Sequence, residues 1–153
     1  MIYHEKQKGD LCRLHAINNI LGFKYLDEAE FSILCDKFDK MTKMDKLSRI
    51  VFYNSGGLFN IFGYCIFRKF NIRMKHHEMG KKKDISISND KNMETLGYFI
   101  YNLYHVWVVR KIDNSLYLVD SLFNNVYNVD ISYVNGNEQN GVIEVFTVGN
   151  VSG

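Results

Sequence analysis

The sequence predicts an α+β protein in which helices come first and an antiparallel sheet follows. Three observations carry this expectation. Apolar residues recur at helical spacing as far as Phe70. Beyond it the period drops toward two in a succession of Val, Ile, Tyr and Phe-rich runs. Between two of the strongest of these runs stand Asp113 and Asn114, residues suited to a tight hairpin turn. Helical runs followed by strand runs are the order of an α+β fold, and 153 residues suffice for one domain, expected over 1–153, with a sizeable core.

The elements follow in chain order. Asp10 can cap a first helix over about 11–21, on which Leu11, Leu14, Ile17 and Leu21 share a face and which Gly22 stops. Asp27 and Glu30 have capping-box spacing ahead of a second stripe of Phe31, Leu34, Cys35, Phe38 and Met41. A third helix is expected within "YNSGGLFNIFGYCIFRKFN", capped at Asn54 or Ser55, with Leu58, Ile61, Phe62, Cys65, Ile66 and Phe70 on its apolar side. On these stripes Cys35 and Cys65 read as core residues. The run "RMKHHEMGKKK" reads as a solvated loop with exposed His76 and His77. The strand candidates are "GYFIYN", "HVWVVRKI", "SLYLVD", "NNVYNV" and "VIEVFTV".

Composition excludes several classes of function. Hydrophobic residues make up 46% and charged residues 24%, ordinary values for a globular protein and unlike a disordered one. A net charge of +2 is too small to argue for a nucleic-acid partner. No apolar run approaches the length of a membrane span, and the charged start "MIYHEKQKGD" lacks the apolar stretch of a signal peptide. Three cysteines form no disulfide framework and point to a reducing compartment. The expectation is a cytoplasmic monomer, or one in the host-cell cytosol if the source is a virus, parasite or intracellular bacterium. No metal is expected, since no further ligand stands at suitable spacing from His76 and His77, and no cofactor is called for.

The chemistry starts at Cys12. A thiol at the first turn of a helix lies among unpaired N–H groups and the positive end of the helix dipole, which favour a thiolate; it is equally what a small apolar residue at a helix end looks like. A nucleophile needs an imidazole to take its proton and a third group to hold that imidazole. His15 lies on the same helix and reads as a packing or hydrogen-bonding residue. His105 opens an apolar strand, and a turn at Asp113 and Asn114 pairs it with a position near 122. Asp120 is then its diagonal neighbour, roughly 7 to 8 Å away between Cα atoms, within side-chain reach. The alternatives are a satisfied histidine at a strand edge and a turn residue before Ser121. Gln7, five residues before Cys12 in a polar approach, could donate to an oxyanion beside the Cys12 N–H.

These residues fall within a recognisable pattern. "YHEKQKGDLCRLHAINNILG", with H-E-K-Q followed by L-C-x-x-H-x-x-N-N, resembles the opening of the Josephin domain, a family of papain-like cysteine proteases that cleave ubiquitin from proteins or from other ubiquitins. "NSGGLFNIFGYCIFRKFNIRM" resembles that family's Gly-aromatic helix start and following strand. "HVWVVRKIDNSLYLVDSL" resembles the strands of its histidine and third residue, and "VIEVFTVGN" its last strand. The resemblance covers nearly the whole chain. Segment 26 to 54 is the exception, being shorter than the helical hairpin of the family.

The resemblance implies a papain-like fold with Cys12 as nucleophile, His105 as general base and acid, Asp120 as orienting residue and Gln7 as oxyanion donor. It implies a thiol-dependent hydrolase that cuts after the C-terminal Gly of ubiquitin or a ubiquitin-like protein. A ubiquitin-binding or regulatory module with little turnover is the alternative. A peptidase for Gly-Gly leaders fits less well, since Arg13 stands where such enzymes carry Gly. One departure from the family is the intervening Val106, which sets Trp107 two positions after His105 and, in a strand, on the face of His105.

Overall fold

A computed structural model describes residues 2–7, 11–42, 57–66 and 70–149. Among these residues the order is α1 (Cys12–Leu21), α2 (Glu28–Thr42), α3 (Gly57–Ile66), β1 (Ile72–His77), β2 (Asn89–Asp90), β3 (Met93–Tyr101), β4 (Val106–Ile112), β5 (Ser115–Val119), β6 (Tyr127–Val129), α4 (Ile131–Asn135) and β7 (Gly141–Val148). Helices precede an antiparallel sheet, as the change of period implied. The sheet runs β1-β7-β3-β4-β5-β6, and β2 pairs with the start of β3.

Two apolar layers flank the sheet because alternate residues of each strand point to opposite faces. On one face Phe99, Tyr101, Val106, Val108, Ile143 and Val145 pack with Leu14, Ile17 and Ile20 of α1 and with Phe62 and Cys65 of α3. On the other, Tyr98, Ile100, Val109, Leu116, Leu118 and Val142 are closed over by Ile85 and by Val134 of α4. Helix α1 sits against β4 and β3. A Cβ at Gly97 would meet the Val109 carbonyl and the Ile20 side chain, so a glycine in β3 permits that close approach. At the far end of α1, Gly22 has φ 83 and donates its N–H to the Asn18 carbonyl, the left-handed stop expected there. A Cβ on it would also fall on the Arg110 guanidinium.

The β4–β5 hairpin turns at Asp113, whose φ is 54, and Ile112 pairs with Ser115. The register continues to Val108 opposite Val119. The expected caps Asp10, Asn54 and Ser55, and the part of the shortened segment from 43 to 54, lie outside the described residues. The Asp27–Glu30 box is formed in both directions, with Glu30 N–H to Asp27 Oδ1 at 2.8 Å and Asp27 N–H to Glu30 Oε1 at 3.2 Å.

Two sequence expectations fail. The basic run is not a solvated loop at its start, because residues 72–77 form β1 along the edge of the sheet beside β7. There His76 and His77 are half-buried, the former hydrogen-bonded to the Tyr101 hydroxyl and the latter 2.7 Å from Glu144 Oε2. On α2, Phe31 and Phe38 are buried, but Met41 is 58% exposed and Cys35 only half-buried.

Candidate active site

Cys12 is the first residue of α1. At that position its backbone N–H has no acceptor within the helix, and the helix dipole favours an anion beside it. The thiol is half-buried and faces His105, which heads β4, and the backbone of Val106. Burial by itself would raise the Cys12 thiol, but hydrogen bonds from the His105 ring and the Val106 N–H, with the charges of His105 and Arg13, bring it below its ordinary value.

The register read from the sequence places Asp120 correctly. Asp120 follows β5 directly, and its Oδ1 accepts from His105 Nε2 at 2.7 Å. This leaves Nδ1 as the ring nitrogen for the Cys12 sulfur. Both partners are well enclosed, with side-chain exposures of 13% and 8%. Burial alone would lower the His105 ring, yet the hydrogen bonds to Asp120 and Cys12 and the charge on both push it up to about 9. A depressed thiol and an elevated imidazole in contact each favour the charged form of the other, the direction of a thiolate–imidazolium pair.

Two further contacts hold the histidine end. Asn102 Oδ1 accepts from the backbone N–H of Tyr104 and His105, at 2.8 and 2.9 Å, and its own N–H bonds the His105 carbonyl, which fixes the turn entering β4. Trp107 lies parallel to the imidazole, with centroids 5.8 Å apart and planes at 15°, so the shift of this residue by one position brings the indole over the ring. The Trp107 Nε1–H donates to the Tyr133 hydroxyl of α4 at 3.0 Å.

Gln7 reaches the site from the N-terminal segment. Its backbone N–H donates to the Ser121 carbonyl at 2.8 Å, and the Ser121 hydroxyl donates to its Oε1 at 3.0 Å. With the oxygen end of the amide held by Ser121, Nε2 is its donor end. Ser121 is buried and adjacent to Asp120. The residues that orient the imidazole and the glutamine therefore come from one dipeptide. Sequence reading missed Ser121, whose only signal is its place after Asp120.

The remaining motif residues form a knot behind the nucleophile. Glu5 Oε1 accepts from His15 Nδ1 at 2.7 Å and from Asn18 Nδ2 at 3.2 Å, and the Tyr3 hydroxyl bonds Glu5 Oε2. Asn19 pairs with the Glu5 backbone, taking its N–H at 2.6 Å and donating to its carbonyl at 3.3 Å. Asn18 also accepts from the N–H groups of Tyr25 and Leu26. His15 is thus the hydrogen-bonding residue expected. Cys65 is buried, and that burial, with Cys35 nearby, pushes its thiol up to about 12.

Comparison with known proteins agrees with this architecture. A stretch of 43 residues is 40% identical to Ataxin-3 of Homo sapiens and 37% identical to Ataxin-3 of Gallus gallus. It makes up 28% of this chain and spans only 12% of the length of each relative. The Josephin family model matches residues 7–139, which include Gln7, Cys12, His105 and Asp120. With a match over most of its length, the chain belongs to the Josephin family, known as ubiquitin-related cysteine proteases.

Proposed function

We propose that the chain is a thiol-dependent deubiquitinase that cleaves isopeptide or peptide bonds after the C-terminal glycine of ubiquitin. The continuous chain of contacts from Cys12 through His105 to Asp120 carries this reading. The Cys12 thiolate adds to the glycine carbonyl carbon, and the oxygen takes the negative charge between the Cys12 N–H and the Gln7 side chain. His105 then gives its Nδ1 proton to the departing amine as the C–N bond breaks, leaving a thioester on Cys12. Water loses a proton to His105 as it attacks that thioester, and the collapse releases the ubiquitin carboxylate and restores the thiolate. Asp120 accepts from Nε2–H throughout and keeps the ring in plane. Its role is orientation, because the imidazole is already charged at rest.

A protein substrate also suits the surroundings. The turn entering β4 exposes Leu103 and Tyr104 (49% and 89%), and the turn after Asp120 exposes Leu122 and Phe123 (58% and 45%). Exposed apolar side chains of this size beside both His105 and Asp120 in the chain favour a macromolecular surface as occupant. The test is release of a C-terminal amide from ubiquitin by the wild type and by Cys12→Ala. Loss of turnover in the variant supports the proposal, and wild-type turnover in it rejects Cys12 as the nucleophile.

A further inference from the structure

The knot at Glu5 has no part in the chemistry above, yet it is a densely bonded polar cluster on the helix that carries Cys12. Its carboxylate takes bonds from His15, Asn18 and Tyr3, and its backbone is gripped on both sides by Asn19. Every one of these helical partners lies on α1, the helix that begins at Cys12. The neighbours of Glu5 turn the other way. His4 Nε2–H donates to the Asp120 carbonyl at 2.8 Å, Gln7 bonds Ser121 through its backbone N–H and its Oε1, and Lys6 Nζ reaches Asn124 Oδ1 at 2.5 Å. Residues 4–7 therefore form a strap. One grip holds the nucleophile's helix, and the others hold the segment that carries the orienting aspartate.

We propose that Glu5 is a positioning residue for the oxyanion donor: its anchorage to His15, Asn18 and Asn19 sets the distance between the Gln7 amide and the N-terminus of α1. This rests on the reading of Cys12 and Gln7 as nucleophile and oxyanion donor. Gln7 lies on a segment, residues 2–7, that has no helix or strand of its own, so its place relative to α1 depends on the bonds the segment makes, and those to α1 are made at Glu5. Ser121 sets which end of the amide is the donor. Glu5, two residues away, sets where along the helix axis that donor stands. His15 and Asn18 are three and six residues beyond Cys12 and lie on the side of α1 that meets the strap, whereas Leu14 and Ile17 meet the sheet. This account gives H-E-x-Q and C-x-x-H-x-x-N-N a shared physical reason.

The consequence is separable from a general loss of stability. An interaction made only at the tetrahedral stage affects kcat and leaves ground-state binding alone, and misplacing a reacting group by about 1 Å can cost on the order of 10²-fold. Glu5→Ala is expected to lower kcat for ubiquitin amide about 10- to 100-fold with KM within about twofold. Glu5→Gln, which keeps an acceptor for Asn18 and His15, should recover most of that loss. In the Gln7→Ala background Glu5→Ala should cost little more, since there is no donor left to misplace. Iodoacetamide alkylation of Cys12, which needs the thiolate but no oxyanion hole, should be unchanged in every variant.

The experiment measures kcat, KM and Cys12 alkylation for the wild type, Glu5→Ala, Glu5→Gln, Gln7→Ala and the double variant. Affinity for a peptide aldehyde, acetyl-glycyl-glycinal, is read alongside by protection of Cys12 from alkylation. Independent, multiplying losses in the double variant, no rescue by Glu5→Gln, or an altered alkylation rate would overturn the inference. The aldehyde forms a tetrahedral adduct without ubiquitin. Weaker adducts in Glu5→Ala and Gln7→Ala, in a protein that fails to cleave ubiquitin, would sustain the positioning role and reject the substrate instead.

Discussion

Replacing Asp120 separates orientation from charge at the proposed site. Its Oδ1 accepts from His105 Nε2 at 2.7 Å and also from the Leu122 N–H at 3.0 Å. Asparagine offers a carbonyl oxygen in that place, and two donors converging there force the oxygen, and not the amide nitrogen, to occupy it. Alanine removes the acceptor from both donors in a site only 6% exposed. A hydrogen bond to a charged group contributes about 1.5–3 kcal/mol, so its loss in Asp120→Ala corresponds to a fall of about 10- to 150-fold in kcat/KM. Asp120→Asn keeps the bond and loses only the charge, and should stay within about tenfold of wild type. The charge has its own signature. With it His105 titrates at about 9, so the alkaline limb of the rate profile should move down in Asp120→Asn and further in Asp120→Ala. Hydrolysis of a fluorogenic ubiquitin amide from pH 5 to 10, alongside thermal melts, reads all of this. Normal turnover by a folded Asp120→Ala protein would refute the orienting role.

The other predictions concern neighbouring residues. Cys12 should be alkylated by iodoacetamide far faster than Cys65 at neutral pH, since one thiol is depressed and the other pushed up to about 12; equal rates by mass spectrometry would contradict this. Because His105 is raised from 6.5 to about 9, its bond to Asp120 stabilises the fold fully below pH 6.5. The charge-dependent part of that contribution is lost as pH rises through about 9, so the gap in melting temperature between wild type and Asp120→Ala should narrow at high pH, with the bond from the Leu122 N–H still separating them. Gln7→Ala should lower kcat by about 10² to 10³ with little change in KM; a change confined to KM would remove Gln7 from the oxyanion site. Tyr133→Phe frees the Trp107 indole that lies over the imidazolium, a contact contributing about 0.5–2 kcal/mol, and should lower the alkaline limb without altering KM. An unmoved limb would show that the stack has no electrostatic effect on His105.

What the sequence disclosed follows from the range of the forces involved. His105 and Asp120 could be paired from the turn at Asp113 and Asn114 because strand register propagates residue by residue, and both lie just beyond the last paired positions, Val108 and Val119, of that hairpin. Leu14, Ile17 and Phe62 were readable as core because a helix repeats its inward face. Strand β1 was hidden: as an edge strand it buries only Ile72 fully, so its charged outward residues read as a loop. Helix α4 has five residues, too few for a period to show. The contacts of Glu5 with His15, Asn18 and Asn19 span 10 to 14 residues between a segment without secondary structure and a helix, and no local pattern encodes such pairings. There the resemblance in the motif carried information that periodicity lacked. Met41 was misplaced because a place on an apolar stripe does not by itself decide burial, and at the end of α2 this side chain is 58% exposed.

The central claim is that Cys12 is a nucleophile shaped for the C-terminus of ubiquitin. Its most direct test is incubation with ubiquitin bearing a C-terminal vinyl electrophile, followed by intact-mass and peptide mapping. The account predicts one covalent adduct, on Cys12, formed faster than with free thiol reagents of the same electrophile class and abolished by His105→Ala. Absence of an adduct on folded protein, or an adduct distributed over Cys35 and Cys65, would contradict it.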